Sequence, residues 1–132
     1  MLQRTTLAPG SMGPVFDTGE TVRHKNSHWI AVWSNIMQVD TIDLYYAHKP
    51  DEHGVPLEET IGAFASLIEQ GKILHWAVSN FDTEQLVDVL NVCDRRGWPR
   101  PVMIQPRYSL LDREAESLLI PLAEAEGIAV CP

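Results

Sequence analysis

From residue 41 to the end of the chain, short β-prone runs alternate with helix-length amphipathic segments, and a glycine follows each helical segment. This alternation constrains the fold more than any other feature. Thr41 to Ala47 reads as a strand, followed by the loop KPDEHGV. A helix opens at Pro56, a favoured first-turn residue because its missing N–H would have had no helical partner. Its apolar positions Leu57, Ile61, Phe64, Ala65 and Ile68 recur at helical spacing, and Gly71 stops it. Ile73 to Val78 forms the next strand. Asp82 then caps a second helix, with Gln85 three residues on to complete a capping box. Leu86, Val89, Leu90 and Cys93 form its inward face, and Gly97 ends it. Val102 to Ile104 begins a third strand. A third helix is expected from about Asp112, with Leu118, Leu119 and Leu122 inward and a kink at Pro121. Gly127 closes it, and Ile128 to Val130 begins a fourth strand. Strands alternating with helices of this length imply βαβ crossovers, hence an α/β fold with a parallel sheet under helices.

Residues 1–40 break this rhythm. They carry Pro9, Gly10, Gly13, Pro14 and Gly19, then the mixed stretch VRHKNSHWIAVWSNIMQ. Only Pro14 to Thr18 reads as a strand there, and Trp29 to Met37 could form a helix. Two regions follow: an irregular segment over 1–40 and regular β/α units over 41–132.

Composition narrows the function. A chain of 132 residues makes one compact domain, and its 45% hydrophobic and 21% charged content is that of a globular protein. The formal net charge of −8 argues against a sequence-independent nucleic-acid binder, which needs a basic surface to displace phosphate counterions. No run of 18 apolar residues exists to span a membrane. The first residues lack the apolar core of a secretory signal. Cys93 and Cys131 lie outside any CxxC pattern and read as two reduced, buried thiols, so a cytoplasmic protein is expected. His24 and His28 stand four apart, but they lack the glutamate of HExxH and a third ligand, so no metal site is expected.

Each strand finishes on polar side chains: His48 after the first, Ser79 and Asn80 after the second, Gln105, Arg107 and Tyr108 after the third. In a parallel sheet these ends share one edge, where ligand sites form. A histidine and several amides gathered there suit a ligand with carbonyl and amide groups. Simpler roles exist for each. His48 could be a solvated loop residue, Ser79-Asn80 could cap the next helix, and Gln105 could satisfy a loop backbone group. Recurrence at equivalent places in three successive units favours the ligand reading.

The segments TIDLYYAHKPD, GKILHWAVSNFD and VMIQPRYSLLDREAE, in this order and spacing, resemble the aldo-keto reductases, NAD(P)H-dependent enzymes built on a (β/α)₈ barrel. The resemblance runs from about Asp40 to Pro132, with a weaker match upstream in VFDTGET. It implies a partial TIM barrel, roughly half to two-thirds of a complete one. It also implies reduction of an aldehyde or ketone with NADPH as cofactor. His48 resembles the histidine that orients and polarises the substrate carbonyl. Ser79, Asn80 and Gln105 resemble the residues that bond the nicotinamide carboxamide. Asp17 resembles the aspartate that pairs with the catalytic lysine. The family's general acid is a tyrosine whose pKa the lysine lowers. Here Val22 stands where that tyrosine is expected after FDTGET, and no strand is found to bring the lysine. Lys25 and Lys49 lie in no matching context and read as solvated.

A complete barrel of this kind takes roughly 250 residues. The chain is therefore expected to be a truncated or internally deleted member, weak or inactive as a reductase by itself. The alternative is a non-catalytic remnant that at most binds a partner chain or cofactor. Exposed sheet edges would favour self-association.

Overall fold

The computed structural model describes residues 39–51 and 54–132. The expectations for Asp17, the strand about 14–18, the helix about 29–37, Val22, Lys25 and the His24/His28 pair lie outside the described residues.

Among the described residues, four strands and three helices alternate: β1 (Ile42–Ala47), α1 (Leu57–Glu69), β2 (Ile73–Ser79), α2 (Thr83–Arg96), β3 (Met103–Gln105), α3 (Leu119–Ala125) and β4 (Ala129–Val130). A single 3₁₀ turn, Glu114–Glu116, precedes α3. The strands pair in sequence order, β1-β2-β3-β4, and every pairing is parallel. The expected α/β architecture is present, as a segment of a (β/α)₈ barrel.

Register decides which side chains meet. Tyr45 pairs with Trp76, Ala47 with Val78, and Val78 with Ile104, which places these residues on the face that receives the helices. There the Trp76 ring stacks on Phe64 of α1, with centroids 4.9 Å apart, and Tyr45 packs against Phe64 at 5.8 Å. Leu86, Val89 and Cys93 of α2 complete the buried layer with Ile61, Leu67 and Ile104. The Trp76 indole nitrogen donates to the Pro99 carbonyl at 2.8 Å, so this large ring is buried with its polar atom satisfied.

The helix signals act as expected in α2. Asp82 accepts from the Gln85 N–H at 2.8 Å, and the Gln85 side chain accepts from the Asp82 N–H at 2.9 Å. Gly97 ends the helix at φ 65°, and the next N–H, from Trp98, bonds back to the Cys93 carbonyl. The left-handed turn there is why glycine serves as the stop.

Two expectations need correction. The third helix starts at Leu119, not near Asp112, and Leu118 points outward instead of joining the core. The Ser109 hydroxyl captures the N–H groups of Leu111 and Asp112, while Arg113 bonds Glu116, so the segment spends its donors locally. Pro121 consequently falls in the first turn of α3, where its missing N–H breaks no bond, and no kink is needed. Cys131 is exposed, not buried, since β4 carries it onto the face away from the helices. Cys93 is buried, and its thiol pKa is pushed up to about 11, chiefly by burial and secondly by the Asp94 charge.

Trp76→Phe keeps the stack on Phe64 but removes the donor to the Pro99 carbonyl. The expected cost is about 1–3 kcal/mol in urea-monitored unfolding. An unchanged midpoint would remove this bond from the account of the core.

Candidate functional site

Beyond the helix-facing side chains, the strands present a second set to the opposite face. Tyr46, Ala77 and Met103 form one row across β1, β2 and β3, and Ser79 with Gln105 belongs to the row above. His48 and Asn80 follow immediately on β1 and β2. The three strand ends thus bring His48, Ser79, Asn80 and Gln105 to one rim, as the sequence predicts.

Hydrogen bonds stitch this rim together. The Ser79 hydroxyl donates to the Gln105 carbonyl at 3.0 Å, and the Asn80 N–H donates to the same carbonyl at 3.1 Å. The Asn80 side-chain nitrogen donates to the His48 carbonyl at 2.7 Å and to the Ser79 hydroxyl oxygen at 3.1 Å. Ser79 is buried, His48 and Asn80 are exposed, and Gln105 is half-buried. Neither residue caps α2, since Asp82 does so, which sets aside the capping role considered for Ser79-Asn80. Among the described residues, the Gln105 side-chain amide and the Asn80 Oδ1 have no protein partner. They leave one donor group and two acceptors facing the rim, the complement of a carboxamide.

The row beneath forms a floor. The Tyr46 hydroxyl crosses the line of Ala77 to donate to the Met103 sulfur at 2.9 Å. Burial and the nearby Cys131 raise the Tyr46 pKa.

The chain contains three tyrosines, Tyr45, Tyr46 and Tyr108. Burial raises the pKa of Tyr45 beneath α1. Tyr108 lies past β3 with its hydroxyl bonded to the Glu116 carboxylate, and that bond raises its pKa as well. A tyrosine acting as general acid needs its pKa lowered towards the working pH. All three are shifted the other way.

The described lysines are Lys49 and Lys72. Lys72 precedes β2, at the far end of the strand from Ser79, about 23 Å away at 3.3 Å per residue. Lys49 is exposed beside His48. Sequence reading did not bring out Tyr46 and Met103 as floor residues. Period-2 alternation with His48 was the available signal.

No group of three or more His, Cys, Asp or Glu residues suited to a metal ion occurs among the described residues. Nor is any described helix long and apolar enough to cross a membrane.

A parallel β/α sheet with a polar rim at its carboxyl edge defines a barrel segment, and ligand sites form at that edge in such folds. The aldo/keto reductase family model matches residues 30–132, and the chain belongs to that family. It is 33% identical over 92 residues to aflatoxin B1 aldehyde reductase member 2 of Homo sapiens, covering 70% of this chain and 25% of that protein. It is 30% identical over 95 residues to a probable voltage-gated potassium channel subunit beta of Oryza sativa subsp. japonica, covering 71% of this chain and 29% of the relative. Among solved structures, a thermostable aldo-keto reductase in complex with the inhibitor epalrestat superposes with a TM-score of 0.72 at 29% identity. That match covers 82% of this chain and 38% of the other. The chain thus spans about a quarter of the length of the curated relatives it matches.

Proposed function

We propose that the chain supplies the carbonyl-polarising and nicotinamide-binding rim of an aldo-keto reductase, acting on a small aldehyde or ketone with NADPH. One observation carries this reading: His48, Ser79, Asn80 and Gln105 converge on one strand-end edge through shared hydrogen bonds. The unpartnered Gln105 amide and Asn80 Oδ1 fit a carboxamide, so these residues would hold the nicotinamide. Bound there, the reduced ring would supply hydride. His48 would bond the substrate carbonyl oxygen and draw charge onto it as hydride arrives. Ser79 holds the β2 and β3 ends in register beneath the ring. Asp17 enters the proposal only as the partner of a catalytic lysine.

Proton delivery is the weak step. A positioned general acid typically contributes about 10² to 10⁴ in rate. With the three tyrosines shifted upward in pKa, and the Tyr46 and Tyr108 hydroxyls bonded to Met103 and Glu116, the chain alone is a slow reductase. The same observation favours a second reading, a non-catalytic member that binds cofactor or a partner chain without turnover. Pairing of copies along β1 or β4, the outer strands among the described residues, belongs with that reading. Light scattering reads it as a mass of twice the 14.8 kDa chain, and a monomer at all concentrations contradicts it.

NADPH fluorescence separates the readings. Saturable binding weakened about tenfold by Gln105→Ala, the loss of one or two hydrogen bonds, supports the rim. Slow oxidation with a simple aldehyde, lost in His48→Ala, supports the enzyme. Binding without oxidation supports the second reading. No binding overturns both as far as the cofactor is concerned, and fast turnover indifferent to His48→Ala overturns the assignment of roles.

A further inference from the structure

Asn80 is the only residue other than glycine with positive φ among the described residues, at 60°. That backbone region disfavours side-chain-bearing residues, asparagine less than most, so the conformation needs a reason. Capping α2 is not the reason, because Asp82 performs it.

The bonds supply one. The β1–β2 ladder ends at the pair Ala47 and Val78, so His48 lies just past the last backbone pairing. At that point the Asn80 side chain takes over, donating to the His48 carbonyl at 2.7 Å. Its second N–H goes to the Ser79 hydroxyl at 3.1 Å. A primary amide has two N–H donors, and both are committed to protein groups. The left-handed turn at Asn80 lets the backbone N–H reach Gln105 while the side chain reaches back to β1.

We infer that Asn80 is a positioning residue for His48: its amide replaces the ladder bond that β1 no longer makes, and so fixes the backbone from which the imidazole projects. This role rests on the reading of His48 as the carbonyl-polarising group, and it leaves Asn80 no side-chain donor for the cofactor. The position needs tolerance of positive φ together with a donor aimed at β1. Glycine offers only the first. Aspartate keeps the shape but turns an acceptor towards the His48 carbonyl.

The test uses the isotopically labelled full chain and compares it with Asn80→Gly and Asn80→Asp by NMR. In the unmodified chain, the Asn80 side-chain N–H protons are expected to exchange slowly with solvent, and rapid exchange overturns the proposal. In Asn80→Gly, the His48 carbonyl ¹³C resonance is expected to move as it loses its donor and the ring signals to broaden, while the Trp76 indole signal stays in place. Asn80→Asp is expected to produce the larger disturbance at His48. An unmoved His48 carbonyl in Asn80→Gly overturns the proposal. With NADPH and benzaldehyde, Asn80→Gly is expected to lower kcat about tenfold, and to raise the KM for NADPH by no more than the loss of the one Oδ1 bond accounts for, about tenfold. A raised KM for NADPH with kcat unchanged overturns the proposal and leaves Asn80 a cofactor ligand alone. Should the unmodified chain turn over no aldehyde, the enzymatic reading fails while the His48 carbonyl still decides the positioning role.

Discussion

Because β1 to β4 run parallel and pair in sequence order, each connection returns along a helix, and each strand delivers its last residue to the same edge. That constraint makes the rim. It also makes the core, since the helices must lie on one face and the sheet must offer them apolar partners there. Phe64 meets that demand by packing against both Tyr45 and Trp76, tying α1 to both β1 and β2. With the helix-facing row fixed by this packing, the residues between are committed to the opposite face. The placement of Tyr46, Ser79 and Gln105 is therefore a consequence of the same alternation that buries Trp76.

Within the rim, polar groups hold one another before any ligand arrives. The Gln105 carbonyl accepts twice from the β2 end, and Asn80 reaches from β2 to β1. Three strands are thereby locked at their carboxyl ends by side chains and by one left-handed residue. Such preorganisation keeps donors and acceptors aimed without rearrangement on binding. What the described tyrosines do not bring to the rim is a lowered pKa. Tyr46 lies on the right face but points its hydroxyl at Met103, and burial raises its pKa. Tyr108 is drawn to Glu116. The rim thus keeps the polar residues of its strand ends while the Tyr46 and Tyr108 hydroxyls are turned to other partners.

Much of this was legible in the residues. The Asp82/Gln85 capping box, the Gly97 stop and the inward face of α2 follow from local rules that act within one turn. The convergence of His48, Ser79, Asn80 and Gln105 follows from parallel topology alone. The start of α3 did not follow. Leu118, Leu119 and Leu122 have helical spacing, yet Ser109 and the Arg113–Glu116 pair withdraw backbone and side-chain groups into local turns, which periodicity does not register. The exposure of Cys131 depends on which face of β4 it takes, which a two-residue strand does not reveal in sequence. The bond from Asn80 to His48 joins residues 32 apart and needed the fold itself.

The central claim is that the strand-end rim is a nicotinamide site. Reduced nicotinamide mononucleotide, which has the ring and no adenosine phosphate, tests it most directly when titrated into the ¹⁵N-labelled chain. The expected result is saturable shifts of the His48, Ser79, Asn80 and Gln105 amides, with those of α1 and α2 unmoved. Shifts confined to other residues, or none at millimolar ligand, would contradict the claim.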